Sequence, residues 1–291
     1  QPVHQAPQAP AVDGQDARIA EGNQALLLAG VAMLDDGLEA LGSHHQAAVL
    51  AGIGRAEAIA LAKAGYNVVI NYARSEGEAQ KTVAECEQAG ADTLLVKCDV
   101  ADEKSVIAMF DAIRRRFGRL DVLCNNAGVS IKTSARDFEK VTVEEWDRIF
   151  SVNVRGVFLV TKHAAPLLRR SDDACVVNTN SFVGARPGPQ ALPYSVSKGA
   201  LWTMTKALAG ALGPDRIRVN GVAPGWMTGE WMERMLGENH DRLMERRAKM
   251  TPLGRIVTAD DVAETALSLI QSNKSVSGVI VVVDGGYGAV T

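Results

Sequence analysis

What is scarce in this chain of 291 residues already narrows what it can be. There are only four cysteines, Cys86, Cys98, Cys124 and Cys175, and their spacing matches no metal-ligand pattern. Buried reduced thiols in a cytoplasmic protein are the expectation. Charge of one sign is also lacking, because 31 basic and 34 acidic residues leave a net charge of −3. That balance offers no electrostatic footprint for nucleic acid or an anionic membrane, and the run "RRR" at 114–116 reads as a solvated helix face. Long hydrophobic runs are missing. The stretch "ALLLAGVAML" at 25–34 is about half the length of a bilayer span and has no basic flank directly before it, so neither a membrane helix nor a signal peptide is expected. His44 and His45 are adjacent with no third ligand in view, so they read as surface residues and no metal is expected.

What is present is a large apolar fraction, 47%, ample for a buried core. Residues 1–16 are rich in Gln, Ala and Pro without an apolar period and read as a disordered tail. Beyond residue 52, helical and strand patterns alternate. Helices are expected over 55–64, 76–89, 102–117, 144–169, 195–212 and 260–272, and strands over 67–72, 92–97, 120–124, 174–179, 216–222 and 278–283. Strands that are apolar throughout, separated by helices, imply an α/β fold with a doubly wound parallel sheet, covered on both faces, in a single domain over 17–291. In such sheets ligands sit at the carboxyl ends of the strands.

One glycine is absent where the pattern calls for it. "AGIGRAEAIALAKAG" at 51–65 reads like the helix after the first turn of a dinucleotide-binding fold, yet four residues before Gly52 stands Ala48. Upstream, "ARIAEGNQALLLAG" at 17–30 has a polar lead, an apolar run and a closing Gly30, which suits a first strand entering a glycine turn. Residues 31–51 would then be an insertion in that turn, and a long surface insertion costs little closure entropy. The alternative places the strand at 46–50, fused directly to the helix. Gly52, Ile53 and Gly54 keep the helix side of a phosphate-binding turn in either case.

The chemistry gathers in "NSFVGARPGPQALPYSVSKGAL" at 180–201. Tyr194 and Lys198 are four residues apart, on one face of a helix. A phenol titrates near 10, so an ammonium in a shielded pocket is expected to bring it down toward neutrality, a shift of about three units or roughly 4 kcal/mol. Ser181, at a strand end, is placed to hold a substrate oxygen in line with the phenol. Taken singly, each has an ordinary reading as a packing residue, a surface cation or a cap.

Together, "GIG" at 52–54, "NNAG" at 125–128, "SVNVRGVF" at 151–158, Ser181, "YSVSK" at 194–198, "APG" at 223–225 and "VSGVIVVVDGGYGAV" at 276–290 closely resemble the short-chain dehydrogenase/reductase family. The resemblance covers about residues 17–290. It implies a Rossmann-type domain that binds NAD(H) or NADP(H), oxidoreductase activity on an alcohol/carbonyl pair, and a homotetramer or dimer. Carried over by position, Tyr194 is the general acid, Lys198 its partner and a ligand of the nicotinamide ribose, Ser181 the group that polarises the carbonyl, and Asn153 the holder of a water in the proton relay. Asn125 and Asn126 would brace adjacent strands. Asn126 and Gly128 would lie along the cofactor, Asp99 and Val100 would hold the adenine, and Pro224, Gly225 and Met227 would lie against the nicotinamide. The family often has Thr five residues after that proline; here Gly229 stands there, with Thr228 beside it.

Cofactor choice turns on "NYARSEG" at 71–77. No acid stands at the strand tip to accept from a ribose 2′-OH, and Arg74 lies just beyond it, so NADP(H) is favoured and NAD(H) remains open. Within the family the chain looks most like the 3-oxoacyl-carrier-protein reductase and glucose dehydrogenase subgroup. Residues 226–250 are expected to form a lid over the substrate, with Trp226, Met227 and Trp231 lining an apolar pocket. The competing reading is a scaffold or regulatory relative whose cofactor turn is spoiled.

Overall fold

The computed structural model of the protein describes residues 25–29, 47–48, 51–229, 232–233 and 236–290. Its strands are β1 (Ala25–Ala29), β2 (Ala47–Ala48), β3 (Asn67–Tyr72), β4 (Thr93–Lys97), β5 (Val122–Asn125), β6 (Val129–Ser130), β7 (Cys175–Thr179), β8 (Arg218–Pro224) and β9 (Ile280–Val283). Seven of them form one parallel sheet in the order β4-β3-β1-β5-β7-β8-β9. The stretch 25–29 therefore supplies the central strand, pairing Leu26 with Val68 on one side and with Val122 on the other. Ala47–Ala48 stays out of that sheet and runs antiparallel to β6, Ala48 opposite Val129. Gly30, the 1–16 tail, His44, His45, Trp231 and most of the expected insertion lie outside the described residues.

The helices are α1 (Ala51–Lys63), α2 (Glu76–Gln88), α3 (Glu103–Phe117), α4 (Val143–Phe150), α5 (Val157–Leu168), α6 (Leu192–Leu212), α7 (His240–Met250) and α8 (Ala259–Gln271). Strand side chains alternate between two helical layers, which is why the strands are apolar on both faces. Val68, Ile70, Val122, Cys124, Cys175 and Val177 join one core with Ile53 and Leu61 of α1 and Val262 and Leu269 of α8. Their neighbours Val69, Leu123 and Val176 join the other, with Met109 and Ile113 of α3 and Val160 and Ala164 of α5. Local chemistry sets the helix ends: the Asp102 carboxylate accepts from the Lys104 and Ser105 amides at the start of α3, and capping boxes Thr142/Glu145 and Thr258/Asp261 open α4 and α8.

Three sequence expectations need correction. The helix expected over 144–169 is broken by a π-helical turn, Ser151–Gly156, between α4 and α5. Within that turn the Asn153 side chain is committed to the backbone of Val129, and at Gly156 a Cβ would lie 2.9 Å from Val100 Cγ2. Helix α6 starts at Leu192 rather than 195, since Pro193 in its first turn is preorganised for helix and gives up an amide with no partner there. The expected lid loop over 226–250 folds in its second half into a 3-10 turn, Gly237–Asn239, and α7. Among the described residues no helix is long and apolar enough to cross a membrane, and no group of His, Cys, Asp and Glu could hold a metal ion.

Candidate active site

Every strand of the main sheet ends on one edge, and the residues singled out from the sequence collect there. Ser181 stands two residues beyond β7, while Tyr194 and Lys198 occupy the first two turns of α6. All three are buried, Lys198 to 1% exposure. The Ser181 hydroxyl hydrogen-bonds the Tyr194 phenol. Lys198 Nζ lies 5.8 Å from the centre of the Tyr194 ring and donates to the carbonyl oxygen of Thr179 at 2.7 Å. Helix α6 comes this close to the strand end because residue 184 has no side chain: a Cβ there would be 2.7 Å from the Lys198 carbonyl oxygen. Ile131, Ile149, Val183 and Ala191 form the apolar wall around the phenol.

Electrostatics run opposite to the sequence expectation. Burial pushes the Tyr194 phenol up to about 12, although the Ser181 hydrogen bond pulls it down, and burial brings the Lys198 ammonium down to about 7. Each charged form loses its hydration, and Lys198 spends its hydrogen bond on Thr179 rather than on the phenol oxygen. The proton is thus kept on Tyr194, the state required of an acid.

Asn153 is 1% exposed and both N–H groups and the oxygen of its amide make hydrogen bonds. Oδ1 accepts from Val129 N at 2.8 Å, and Nδ2 donates to Val129 O at 2.9 Å and Ser197 Oγ at 3.0 Å. The side chain expected to hold a water in the proton relay braces the backbone of β6. Asn125 braces strands as expected: Nδ2 donates to Asn178 Oδ1 at 2.9 Å and Thr161 Oγ1 at 3.1 Å. Asn126 Oδ1 accepts from Thr179 Oγ1, which links the "NNAG" turn to the carbonyl that holds Lys198.

The residues expected along a cofactor rim the same edge. Gly52, Ile53 and Gly54 lie in the first turn of α1; Gly52 is exposed, Ile53 and Gly54 are buried, and no acid stands in that turn. Arg74 is exposed, two residues past β3. Asp99 and Val100 follow β4, with Val100 packed on Gly156 and an Asp99 oxygen 3.7 Å from Arg148. Asn126 and Gly128 are buried after β5. Pro224 ends β8; Gly225 backs onto Asp284, whose Cβ a side chain would meet at 2.6 Å, and Met227 bridges to Val257. A dinucleotide suits this donor set, since an acid-free helix N-terminus takes its diphosphate and a buried lysine with protons to spare takes ribose hydroxyls.

Sequence reasoning missed three features. Glu57 of α1 is 1% exposed, neither carboxylate oxygen has a partner among the described residues, and burial pushes it up to about 8. Ser197 sits inside "YSVSK" but was passed over. Arg247 of α7 lies over the rings of Trp226 (4.3 Å) and Tyr287 (5.6 Å) and donates to the Tyr287 hydroxyl, and Tyr287 meets Phe182 edge-on beside Ser181. Trp226, expected to line the pocket, serves as a platform for that arginine. Only a three-dimensional contact could have shown it.

Known proteins resemble this chain in sequence and in fold. The profile of a family described as enoyl-(acyl carrier protein) reductase matches residues 47–288. Ketoacyl reductase 2 of the granaticin polyketide synthase from Streptomyces violaceoruber is 38% identical over 235 residues, covering 81% of this chain and 91% of its own. The 3-oxoacyl-[acyl-carrier-protein] reductase FabG of Staphylococcus aureus is 34% identical over 236 residues, 81% of this chain and 93% of its own. Among solved structures, levodione reductase superposes with a TM-score of 0.78 at 28% identity, covering 92% of this chain and 98% of that one. The profile spans the strand ends from β3 onward and the first turns of α6, and the chain belongs to the short-chain dehydrogenase/reductase family.

Proposed function

We propose that the protein is an NADP(H)-preferring carbonyl reductase, acting on an alcohol/carbonyl pair, in which Tyr194 delivers the proton. The reading rests on one juxtaposition: Ser181, Tyr194 and Lys198 converge, buried, at the end of β7. A bound nicotinamide would supply hydride chemistry at the carbonyl carbon. The phenol hydrogen goes to the carbonyl oxygen, giving the alcohol and leaving a phenolate that solvent reprotonates. Ser181 donates to that phenolate and orients the carbonyl, while the Lys198 ammonium, 5.8 Å from the ring centre, opposes the negative charge in a shielded site.

Gly52, Ile53 and Gly54 offer helix amides to the diphosphate, with Gly30 on the strand side. Arg74 pairs with a 2′-phosphate, Asp99 and Val100 hold the adenine, Asn126 and Gly128 flank the ribose, and Pro224, Gly225 and Met227 back the nicotinamide. Ketoacyl and 3-oxoacyl relatives support an apolar β-keto substrate, in keeping with the apolar wall of Ile131, Val183 and Ala191. A homotetramer or dimer is supported by exposed Phe158 and Val196 on the outer helices, and a cytoplasmic location by four free, buried thiols.

Screening NADPH oxidation over ketones, β-ketoesters, sugars and quinones, with Tyr194→Phe as control, tests this reading. Turnover of a β-ketoester is expected, with at least a hundredfold loss in the variant; equal rates overturn it. A spoiled scaffold would fail earlier, by binding NADPH no tighter than about millimolar.

A further inference from the structure

The π-helical turn and the first turns of α6 are joined by a hydroxyl outside the usual trio. Ser197 is fully buried. Its Oγ accepts from Asn153 Nδ2 at 3.0 Å and donates to the Tyr194 carbonyl oxygen at 2.7 Å. Asn153 grips Val129 through both N–H and C=O, as a neighbouring strand would, and the opposite edge of β6 pairs with β2. A continuous line of hydrogen bonds therefore runs from the strand after "NNAG" through Asn153 and Ser197 to the backbone of Tyr194.

We infer that Ser197 is a positioning residue: through Asn153 it fixes the rotation of the first turns of α6 relative to β6, and so the place of the Tyr194 phenol. The inference rests on the proposed role of Tyr194. Two further anchors set that rotation, Lys198 on Thr179 O and the Ser181–Tyr194 hydrogen bond, but both sit at side-chain tips. Ser197 acts on the backbone itself. Its neighbour Ser195 is a built-in contrast, buried with a hydroxyl that has no partner among the described residues. Without the Ser197 hydroxyl, one N–H of Asn153 is left in the interior with no acceptor. Such an unpaired donor is costly, and the only link this line makes from Asn153 on β6 to the first turns of α6 is gone, which leaves both sides freer to move.

Ser197→Ala, Ser197→Thr and Ser195→Ala test it in the full chain. Amide hydrogen exchange of the free protein comes first. Ser197→Ala is expected to speed exchange at least tenfold in peptides covering 127–131 and 193–199, with β3 and β4 unchanged, while Ser197→Thr and Ser195→Ala stay near wild type. Kinetics follow, as NADPH oxidation with ethyl acetoacetate: about a tenfold fall in kcat for Ser197→Ala, KM for NADPH within twofold, and rescue by Thr. Unchanged exchange over 127–131 in Ser197→Ala, or an equal effect of Ser195→Ala, overturns the inference. Should Ser197→Ala not fold, Ser197→Cys takes its place; wild-type exchange there, with its weak hydrogen bonds, overturns it as well. The exchange result stands apart from the catalytic reading, which fails instead if Tyr194→Phe keeps the wild-type rate.

Discussion

Lys198 Nζ faces the ring of Tyr194 from 5.8 Å while its hydrogen bond goes to the carbonyl of Thr179. The cation is thus held by the end of a strand and acts on the phenol through space. Burial weakens its charge, bringing it down to about 7. Because this value lies below the ordinary 10.5, the folded chain binds fewer protons than the unfolded one between those limits, and stability climbs across that range. Lys198→Met should cut kcat at least a hundredfold, yet be more stable than wild type below pH 7. Urea midpoints at pH 6 and 9 measure this; a wild type that is more stable at pH 6 contradicts it.

Glu57 titrates in the opposite sense. Its folded value, about 8, lies above the ordinary 4.5, so what protonated Glu57 contributes is present in full below pH 4.5 and is lost as pH rises toward 8. Against Glu57→Leu, wild type should lose about 1.4 kcal/mol per pH unit inside that window, or about 3 kcal/mol by pH 7. Denaturation at pH 5 and pH 8 decides the point. A difference that does not change with pH would falsify this account.

Arg74 governs coenzyme choice in the proposed reading. Arg74→Glu should raise KM for NADPH by about tenfold to a hundredfold, roughly 1.4 to 2.8 kcal/mol of lost charge-assisted binding, and leave KM for NADH equal or lower. Parallel losses with both coenzymes would assign Arg74 to the fold instead.

At residue 184 even one methyl group is too much. Gly184→Ala would set a Cβ 2.7 Å from the Lys198 carbonyl oxygen and 2.8 Å from its carbon, both backbone atoms of the helix that carries the site. Overpacking of this kind costs about 1–3 kcal/mol, so Tm should fall by roughly 2–10 °C and kcat should fall with it. Calorimetry and initial rates on one sample measure both; unchanged values would mean that α6 shifts freely.

How far the sequence carried is clearest at particular residues. β3 was legible to its ends, because "NVVINY" is an apolar, β-branched run closed by turn residues. Tyr194, Lys198 and Ser181 were legible as a set because their spacing on helix and strand end is local. The break at Ser151–Gly156 was hidden, since the contact that goes with it, the grip of Asn153 on Val129, joins residues 24 apart. Glu57 was hidden as well. A glutamate in an Ala-rich helix reads as solvent-facing until the sheet beneath it is known, and here α1 turns it inward. The direction of the Tyr194 shift was missed for a similar reason: spacing reports that two groups are near, while burial, which decides the sign, is a property of the whole fold.

The π-helical turn also constrains how this site can be transplanted. A regular α-helix advances about 100° per residue, so the wider loop at Ser151–Gly156 puts α4 and α5 out of phase with each other. Replacing the whole stretch from α4 to α5 by one ideal helix, or deleting a single residue of the turn to tidy it, would swing Asn153 around the axis and away from Val129. Anyone grafting this catalytic face onto another scaffold must carry the irregularity across intact, since the phase slip is what aims the amide.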